Sequence, residues 1–573
     1  LVCPEDGGYH FADEFEMRDM FETMVQLGQT ATRTGWFSFR PLDGTNHQSV
    51  ATQELEWIVE GAGKYNEEGF RAMDKMLQLA NEYGIRLFIP IFADTETIAS
   101  YRGKKGSDVY KDLQLIEDVK ALFTYTLNRT NYYTGVKYKD DPAVLAWQIG
   151  NELDRSGCTT EWTNIMSAHI KSIDKNHLVA APQTFYWKDV LDDPNIDIVD
   201  THIYDAMPFK DMIQADLTMV RGKKTLILGE LGMQTGEFFA DLLPWISEQP
   251  EIFGAYLFMM GSHNSLGGIY CHSAYSDYPN LFWPAYDPEP DNGLGGTGTE
   301  GKWNLELVFK TIRELNYGKM GIPVPEIPKP KAPHLLPITD VHKIWWRGST
   351  GARYYDIERA ETNKGPWTVV GENIQDYKQP RNENITSASG QLFGALFDDK
   401  TAERGKTYFY RVKAKTPSGV ESDYSNIRFS GDDRPDEILK KEIKEKNAAK
   451  AAPQIVVDIP TVEGRLSGAG VEKYPNANFS RALKGQLGNA VVLKIGESTA
   501  FVNNTVRKID ANNENITPIT KNGRTLIPVR FIAEAFDCNV AWDEGTQTVA
   551  ILSGLYSSSM RIGENIITVK DQG

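Results

Sequence analysis

Two apolar runs of this 573-residue chain end in an acid. LAWQIGNE stops at Asn151-Glu152, and TLILGE stops at Glu230. A carboxylate against an apolar core is costly unless it is paired, solvated or in use. One acid at a strand tip is often a helix cap or a salt-bridge partner. Two acids, each after an apolar strand and each followed by a turn, ask for a function. Paired carboxylates facing each other across a cleft point to glycoside hydrolysis. With their oxygens ~5 Å apart, the reaction would retain anomeric configuration through a covalent glycosyl-enzyme. One acid must then hold a proton near neutral pH while the other stays ionised, so their surroundings must push the two pKa values apart.

The elements that would position them follow from periodicity. Over residues 13–28, Phe15, Met17, Met20, Phe21, Met24 and Leu27 recur at helical spacing, with Gly28 as a stop. QTATRTGWF reads as a strand, 66–83 as an amphipathic helix closed by Gly84, and IRLFIPIF as a continuous apolar strand. Helices are then predicted near 111–128, 160–174, 209–220, 237–247 and 303–316, interleaved with AVLAWQIG, HLVAAP, IDIVDTHIY, TLILGELG and GAYLFMM. Apolar strands alternating with amphipathic helices imply a parallel sheet covered on both faces. Seven strand candidates within the first 320 or so residues suit a (β/α)8 TIM barrel with its first strand missing. The alternative, an open doubly wound sheet, would want a Gly-rich phosphate loop after the first strand, and the sequence has none there. In a barrel, strand C-termini converge on one mouth. Glu152 and Glu230 would face each other there, from the fourth and seventh strands.

LNRTNYYTGVKYKDDPAVLAWQIGNEL, KSIDKNHLV and LILGELG resemble glycoside hydrolase family 5, in the clan A barrel hydrolases, and most of all its β-mannanase branch. The resemblance covers about residues 10–318. It implies that Glu152 is the acid/base and Glu230 the nucleophile. It implies that Arg33 orders and keeps ionised the nucleophile, as a nearby guanidinium does, and that Asn151 binds the sugar 2-hydroxyl. His202 would line the sugar site and Tyr204 would hydrogen-bond Glu230. Trp147 reads as core. The chain also departs from the family: Phe258 or Met259 stands where a Trp usually floors the cleavage subsite, and Trp283 is the candidate replacement. NELD replaces the commoner NEP, and the loop FADTETIASYRGKKG lacks the usual Asn and Trp. Relatives also carry a strand ahead of the segment matching CPEDGGYHFADEFEMRD. Residues 1–8 read as the loop after it, so the polypeptide from Leu1 alone is expected to be unstable or inactive.

Past residue 318 the composition shifts. Residues 319–333 form a Pro-rich linker. Short alternating strands over 334–430 read as a β-sandwich that resembles a fibronectin type III domain, with Trp345 or Trp346 in its core and Tyr408 as corner tyrosine. Its expected role is a spacer. Residues 431–456 are a charged linker, helical or disordered. Residues 457–573 resemble the small α+β domain named after the N-terminal domain of copper amine oxidases, with a second copy cut off at the C-terminus. The name does not imply copper, and no His/Cys cluster there would bind it.

The net charge of −17 disfavours nucleic acid or an anionic membrane as main partner and is indifferent to a neutral glycan. No apolar run of 18 residues spans a membrane. Cys3, Cys158, Cys271 and Cys538 show no metal spacing, and a bridge from Cys3 or Cys158 to Cys271 stays open. DPEPDNGLGG is acidic but lacks the twelfth-position Glu of a calcium loop. No cofactor is called for. Two readings compete. One is a retaining, endo-acting hydrolase of β-1,4-linked polysaccharide, mannan or glucomannan first, with a β-glucanase or transglycosylase using the same machinery as variants. The other is a non-catalytic glycan-binding or cell-surface scaffold on a degraded barrel. The expected location is secreted or cell-surface, in a bacterium, although no signal peptide is present in this sequence.

Overall fold

The computed structural model describes residues 11–42, 56–183, 188–204, 208–232, 234–269, 281–285, 304–378 and 395–466. Toward the C-terminus it describes 491–493, 496, 498–502, 505–513, 515–521, 524–526, 528–535, 538–553, 556–562 and 567–571. The chain divides into two compact units: Leu1–Ile173 with Leu178–Tyr474, and Asp174–His177 with Pro475–Gly573.

In the first unit the elements run α1 (Glu14–Gln26), β1 (Ala31–Arg33), β2 (Val59–Gly61), β3 (Lys64–Tyr65), α2 (Glu67–Tyr83), β4 (Arg86–Phe92), α3 (Thr95–Ser100), α4 (Leu113–Asn128), β5 (Val144–Gly150), α5 (Thr160–Ile173), β6 (Leu178–Ala180), β7 (Ile198–Tyr204), α6 (Phe209–Val220), β8 (Thr225–Gly232), α7 (Gly236–Ser247), β9 (Ile252–Leu257) and α8 (Leu305–Met320). The predicted helices lie within a few residues of the observed ones. Their starts are chemically marked. Asp13 accepts from the Glu16 amide while the Glu16 carboxylate accepts from the Asp13 amide, which caps α1 at both orphan donors. Asn66, Asp112 and Thr235 cap α2, α4 and α7 in the same sense.

Seven of the strands form one parallel sheet in the order β1-β4-β5-β6-β7-β8-β9. It curls into a nearly closed barrel, as the seven apolar strand runs predict. β4 and β5 are buried on both faces because helices cover one side and the barrel interior the other. Trp147 and Trp162 are fully buried, so Trp147 is core, as expected. The edge strands β1 and β9 are not hydrogen-bonded to each other. A cavity of about 1830 Å³ opens between them, lined by Met20, Phe21, Met24, Leu243, Ile246 and Phe309, and it continues to the strand tips.

β10 (His334–Leu335) pairs with β11 (Trp346–Arg347), and β13 (Thr368–Ile374), β12 (Tyr354–Ala360), β14 (Phe409–Lys415) and β15 (Arg428–Phe429) form an antiparallel sheet. Trp346, Tyr355, Ile357, Tyr410 and Val412 are fully buried in its core, and Trp345 only partly. The Tyr408 hydroxyl accepts from the Glu403 amide at 3.2 Å, five residues upstream. This region packs on the barrel. Thr350 donates to Asp19 of α1, and Arg353 donates to the Ala285 and Pro284 carbonyls. His263, after β9, lies between Asp19 and Asp376. The charged segment is a helix, α9 (Glu437–Lys450), whose Glu442 takes a two-pronged bond from Arg347 at 2.8 and 2.7 Å. Ile455–Val456 then pairs with β3.

In the second unit, Val491–Leu493, Thr499–Val502 and Thr505–Lys508 form one antiparallel sheet, and Ile519–Lys521 pairs with Arg524–Leu526. A short helix, Val529–Ala535, precedes a four-stranded antiparallel sheet over 539–571. No helix among the described residues is long and apolar enough to cross a membrane.

Candidate active site

The tip of β5 is built tightly. A Cβ at Gly150 would stand 2.5 Å from the Phe92 carbonyl oxygen and 2.6 Å from the Leu153 side chain, so only glycine fits. The Asn151 amide bonds the Phe92 carbonyl, and the Leu153 amide bonds that of Pro182. Glu152, between them, is forced into left-handed backbone (φ 51, ψ 35). Non-glycine residues rarely sit there, and such strain gathers at functional sites. Glu230 lies on β8 in direct register with His202 of β7.

These residues converge. Arg33, at the end of β1, donates from Nη1 to Glu230 Oε1 at 2.8 Å, from Nη2 to Asn151 Oδ1 at 2.6 Å, and from Nε to Gln148 Oε1 at 2.9 Å. Tyr204 donates to the other oxygen of Glu230. His202 Nδ1 lies 2.7 Å from Glu152 Oε1 and 3.6 Å from Glu230 Oε2. Its Nε2 lies 3.2 Å from Asp200 Oδ2. Arg155 Nη1 reaches Glu152 Oε2 at 3.0 Å from the exposed side. One donor atom each of Glu152, His202 and Glu230 falls within 4.8 Å of the others.

Burial alone would raise the Glu152 pKa, but the His202 hydrogen bond and the charges of His202, Arg155 and Arg33 together bring it below the usual carboxylate value. Burial likewise opposes a charged His202. The charges of Asp200 and Glu230 and the bonds to Asp200 and Glu152 outweigh it and push the imidazole up to about 9. At rest the site therefore holds a carboxylate at Glu152 beside an imidazolium. The spacing of Glu152, His202 and Glu230 is also one that a metal ion could bridge. Both ring nitrogens of His202, however, are committed to carboxylates, and the positive charge is already supplied by His202 and Arg33. Among the described residues these bonds, with Arg33 and Tyr204 on Glu230, satisfy the three groups without a metal.

Of the seven residues singled out from sequence, Arg33, Asn151, Glu152, His202, Tyr204 and Glu230 meet here. Trp283 does not, and its candidacy as a sugar floor is corrected. It is 8% exposed, packs edge-on against Phe309 and donates from its indole to Gln26. The segment 281–285 tucks it into a core with Leu27 and Leu305 rather than over the mouth. Phe258 does line the cavity, edge-on to Tyr204, and Trp36 and Trp57 line it too. Sequence reasoning misses Gln148 and Asp200. The signal for Asp200 is the one that exposes Glu152: an acid inside an apolar strand. Cys158 is a free buried thiol, pushed up to about 12 by burial, while Cys3, Cys271 and the acidic stretch 287–296 lie outside the described residues.

Comparison with known proteins adds the following. Residues 76–207 match a family described as GH family 5 beta-mannosidase-like, and residues 468–551 and 509–573 each match one described as copper amine oxidase N-terminal domain. Mannan endo-1,4-beta-mannosidase 2 of Oryza sativa subsp. japonica is 31% identical over 181 residues, 28% of this chain and 37% of its own. Mannan endo-1,4-beta-mannosidase 2 of Arabidopsis thaliana is 29% identical over 236 residues, 34% of this chain and 51% of its own. The chain thus spans about half or less of the length of these curated relatives. An endo-beta-1,4-mannanase structure from Thermotoga petrophila aligns with TM-score 0.42 and 16% identity, over 75% of this chain and 98% of that one. The expectation of a bacterial source is corrected: these curated relatives are plant and fungal, which points to a eukaryotic rather than a bacterial origin. The chain carries a region similar to glycoside hydrolase family 5 mannosidase-like domains, and after it a region similar to copper amine oxidase N-terminal domains.

Proposed function

We propose that the barrel is a retaining, endo-acting glycoside hydrolase of β-1,4-linked polysaccharide, with mannan or glucomannan as substrate. The observation that carries this reading is the meeting of Glu152 and Glu230, from distant strands, with oxygens within 4.8 Å of each other. That separation matches a retaining pair, whereas an inverting pair stands further apart to admit water. Glu230, its oxygens engaged by Arg33 and Tyr204, would attack the anomeric carbon while Glu152 protonates the departing oxygen. Glu152 would then draw a proton from the water that releases the sugar. Asn151, its carbonyl fixed by Arg33, would offer its amide to the sugar 2-hydroxyl. The mannan endo-1,4-beta-mannosidase relatives support the substrate class. We read residues 334–430 as a fibronectin type III-like module packed on this barrel.

Reducing-end release from mannan, glucomannan, β-glucan and xylan tests the reading, with the anomer of the first product followed by proton NMR. Release from mannan with β-product first is expected. Binding without release would favour a glycan-binding scaffold, and α-product first would exclude the retaining pair. Arg33→Lys is expected to cut kcat by about a hundredfold in a folded protein. An ammonium cannot serve three acceptors held in a planar fork, and losing one such contact typically costs that much. Steady-state kinetics with circular dichroism as folding control would check it.

A further inference from the structure

Asp200 is fully buried on β7, two residues before His202, and no step above uses it. Residues two apart on a strand share a face, so Asp200 sits directly beneath His202 in the barrel. Its Oδ1 accepts from the Gly229 amide at 2.8 Å, and its Oδ2 accepts from Gln148 Nε2 at 2.8 Å and faces His202 Nε2 at 3.2 Å. Arg33 Nε is 3.8 Å away. Four strands, β1, β5, β7 and β8, thus converge on this one carboxylate. Gly229 leaves the room for it, since a Cβ there would stand 2.3 Å from Oδ1. A buried carboxylate of this kind must be matched by positive charge and hydrogen bonds.

The charged and titratable groups around the Asp200–His202 pair are Glu152 after β5, Glu230 on β8, Arg33 on β1, Tyr204 on β7 and Tyr256 on β9. Arg33 is spread over Glu230, Gln148 and Asn151. The group left to neutralise Asp200 at hydrogen-bonding distance is the imidazole.

We propose that Asp200 is a positioning residue for the acid/base. Through Nε2 it holds His202 as imidazolium, so that the catalytic proton is stored on His202 Nδ1 and passed along the 2.7 Å hydrogen bond to Glu152. In the first step the Nδ1–H bond breaks, and a proton moves through Glu152 to the glycosidic oxygen. The histidine is then neutral and Glu152 remains a carboxylate. In the second step the proton of the attacking water returns through Glu152 to Nδ1. No electrons change hands beyond these bonds. The relay explains how a site whose acid/base carboxylate is ionised at rest still delivers a proton. It rests on the hydrolase reading for the direction of proton flow, but the charge on His202 does not.

The test has two arms, both on the full chain. Nitrogen-15 NMR of the imidazoles, with the His202 signal assigned by its loss in His202→Gln, is expected to show both ring nitrogens protonated at pH 7.5 and titrating about two pH units above an ordinary histidine. A His202 that is neutral at pH 7.5 overturns the proposal. In the second arm Asp200→Asn, of equal size, is expected to move the alkaline limb of kcat/KM down by at least one pH unit, with activity largely restored at pH 5.5. A merely structural role would lower the rate equally at all pH and leave the limb in place, which also overturns it. Should Asp200→Asn not fold, the wild-type NMR decides. Should His202 be charged while no glycan is cleaved, the hydrolase reading fails and the pairing of Asp200 with His202 stands.

Discussion

Glu230→Ala is expected to lower turnover of β-mannan by at least about a thousandfold, because on the proposed mechanism it deletes the group that would form the covalent intermediate. The loss should be chemical rather than structural. Arg33 keeps Gln148 and Asn151 as partners, and the vacated volume adjoins the cavity. Added azide would enter from the face Glu230 occupied and yield the α-glycosyl azide from an activated β-mannoside. Glu152→Ala is expected to behave oppositely. It removes the proposed acid/base, a role worth about a hundred- to ten-thousandfold, yet an activated aryl leaving group needs no proton, so the glycosyl-enzyme should still form. Azide then attacks it from the other face and gives the β-azide. Opposite anomers from the two variants identify nucleophile and acid/base separately. The same anomer from both, or unchanged turnover in Glu230→Ala, would remove the assignment.

Asp376→Ala should destabilise the folded chain by about 3–5 kcal/mol, the cost of stripping one partner from a buried ion pair. His263 is buried with Nδ1 2.7 Å from Asp19 Oδ1 and Nε2 3.1 Å from Asp376 Oδ2. Burial opposes its charge, but the two carboxylates outweigh that and raise it well above the ordinary histidine value. A raised folded pKa adds stability that is complete below about 6.5, the unfolded value. That stability falls progressively as pH rises above the unfolded value and is gone once pH has passed the higher folded value. The wild-type chain should therefore gain most from this pair below about pH 6.5 and progressively less as pH rises, and Asp376→Ala should lose most at the acidic end of that range. Urea unfolding at several pH values measures both, and His263→Leu with Asp376→Ala closes a double-mutant cycle. A change within about 1 kcal/mol, as for an exposed pair, would mean that the sheet region is not bolted to the barrel at this point.

Helix positions were legible because apolar residues recur at helical spacing and glycines such as Gly84 mark ends locally; the caps Asp13, Asn66 and Asp112 add starts that the periodicity alone left unmarked. The apolar runs likewise announced a parallel sheet, since a strand buried on both faces has no polar alternation to lose. Glu152 and Glu230 stood out because each interrupts such a run at its tip. Asp200 interrupts one just as plainly. Its neighbours His202 and Tyr204 draw the eye instead, and only the fold reveals that Gly229 was left small to admit it. Trp283 was misread for a related reason. A Trp on a loop near a strand end can turn outward to a ligand or inward to a core, and composition does not say which. The Gln26 side-chain oxygen and the Phe309 ring turned it inward.

By itself the sequence determined the local elements, the strand tips that carry acids, and the shift of composition past residue 318. Those features depend on neighbours within a turn or a few residues of strand. Tertiary structure alone decided how closely the acids approach, which charge each one meets, and that the sheet region and α9 pack on the barrel. Electrostatic pairing across strands varies with ångströms of separation and with burial, and neither is written in the order of residues. The same carboxylate chemistry at Glu152, Asp200 and Glu230 thus becomes three different groups only once β5, β7 and β8 lie side by side.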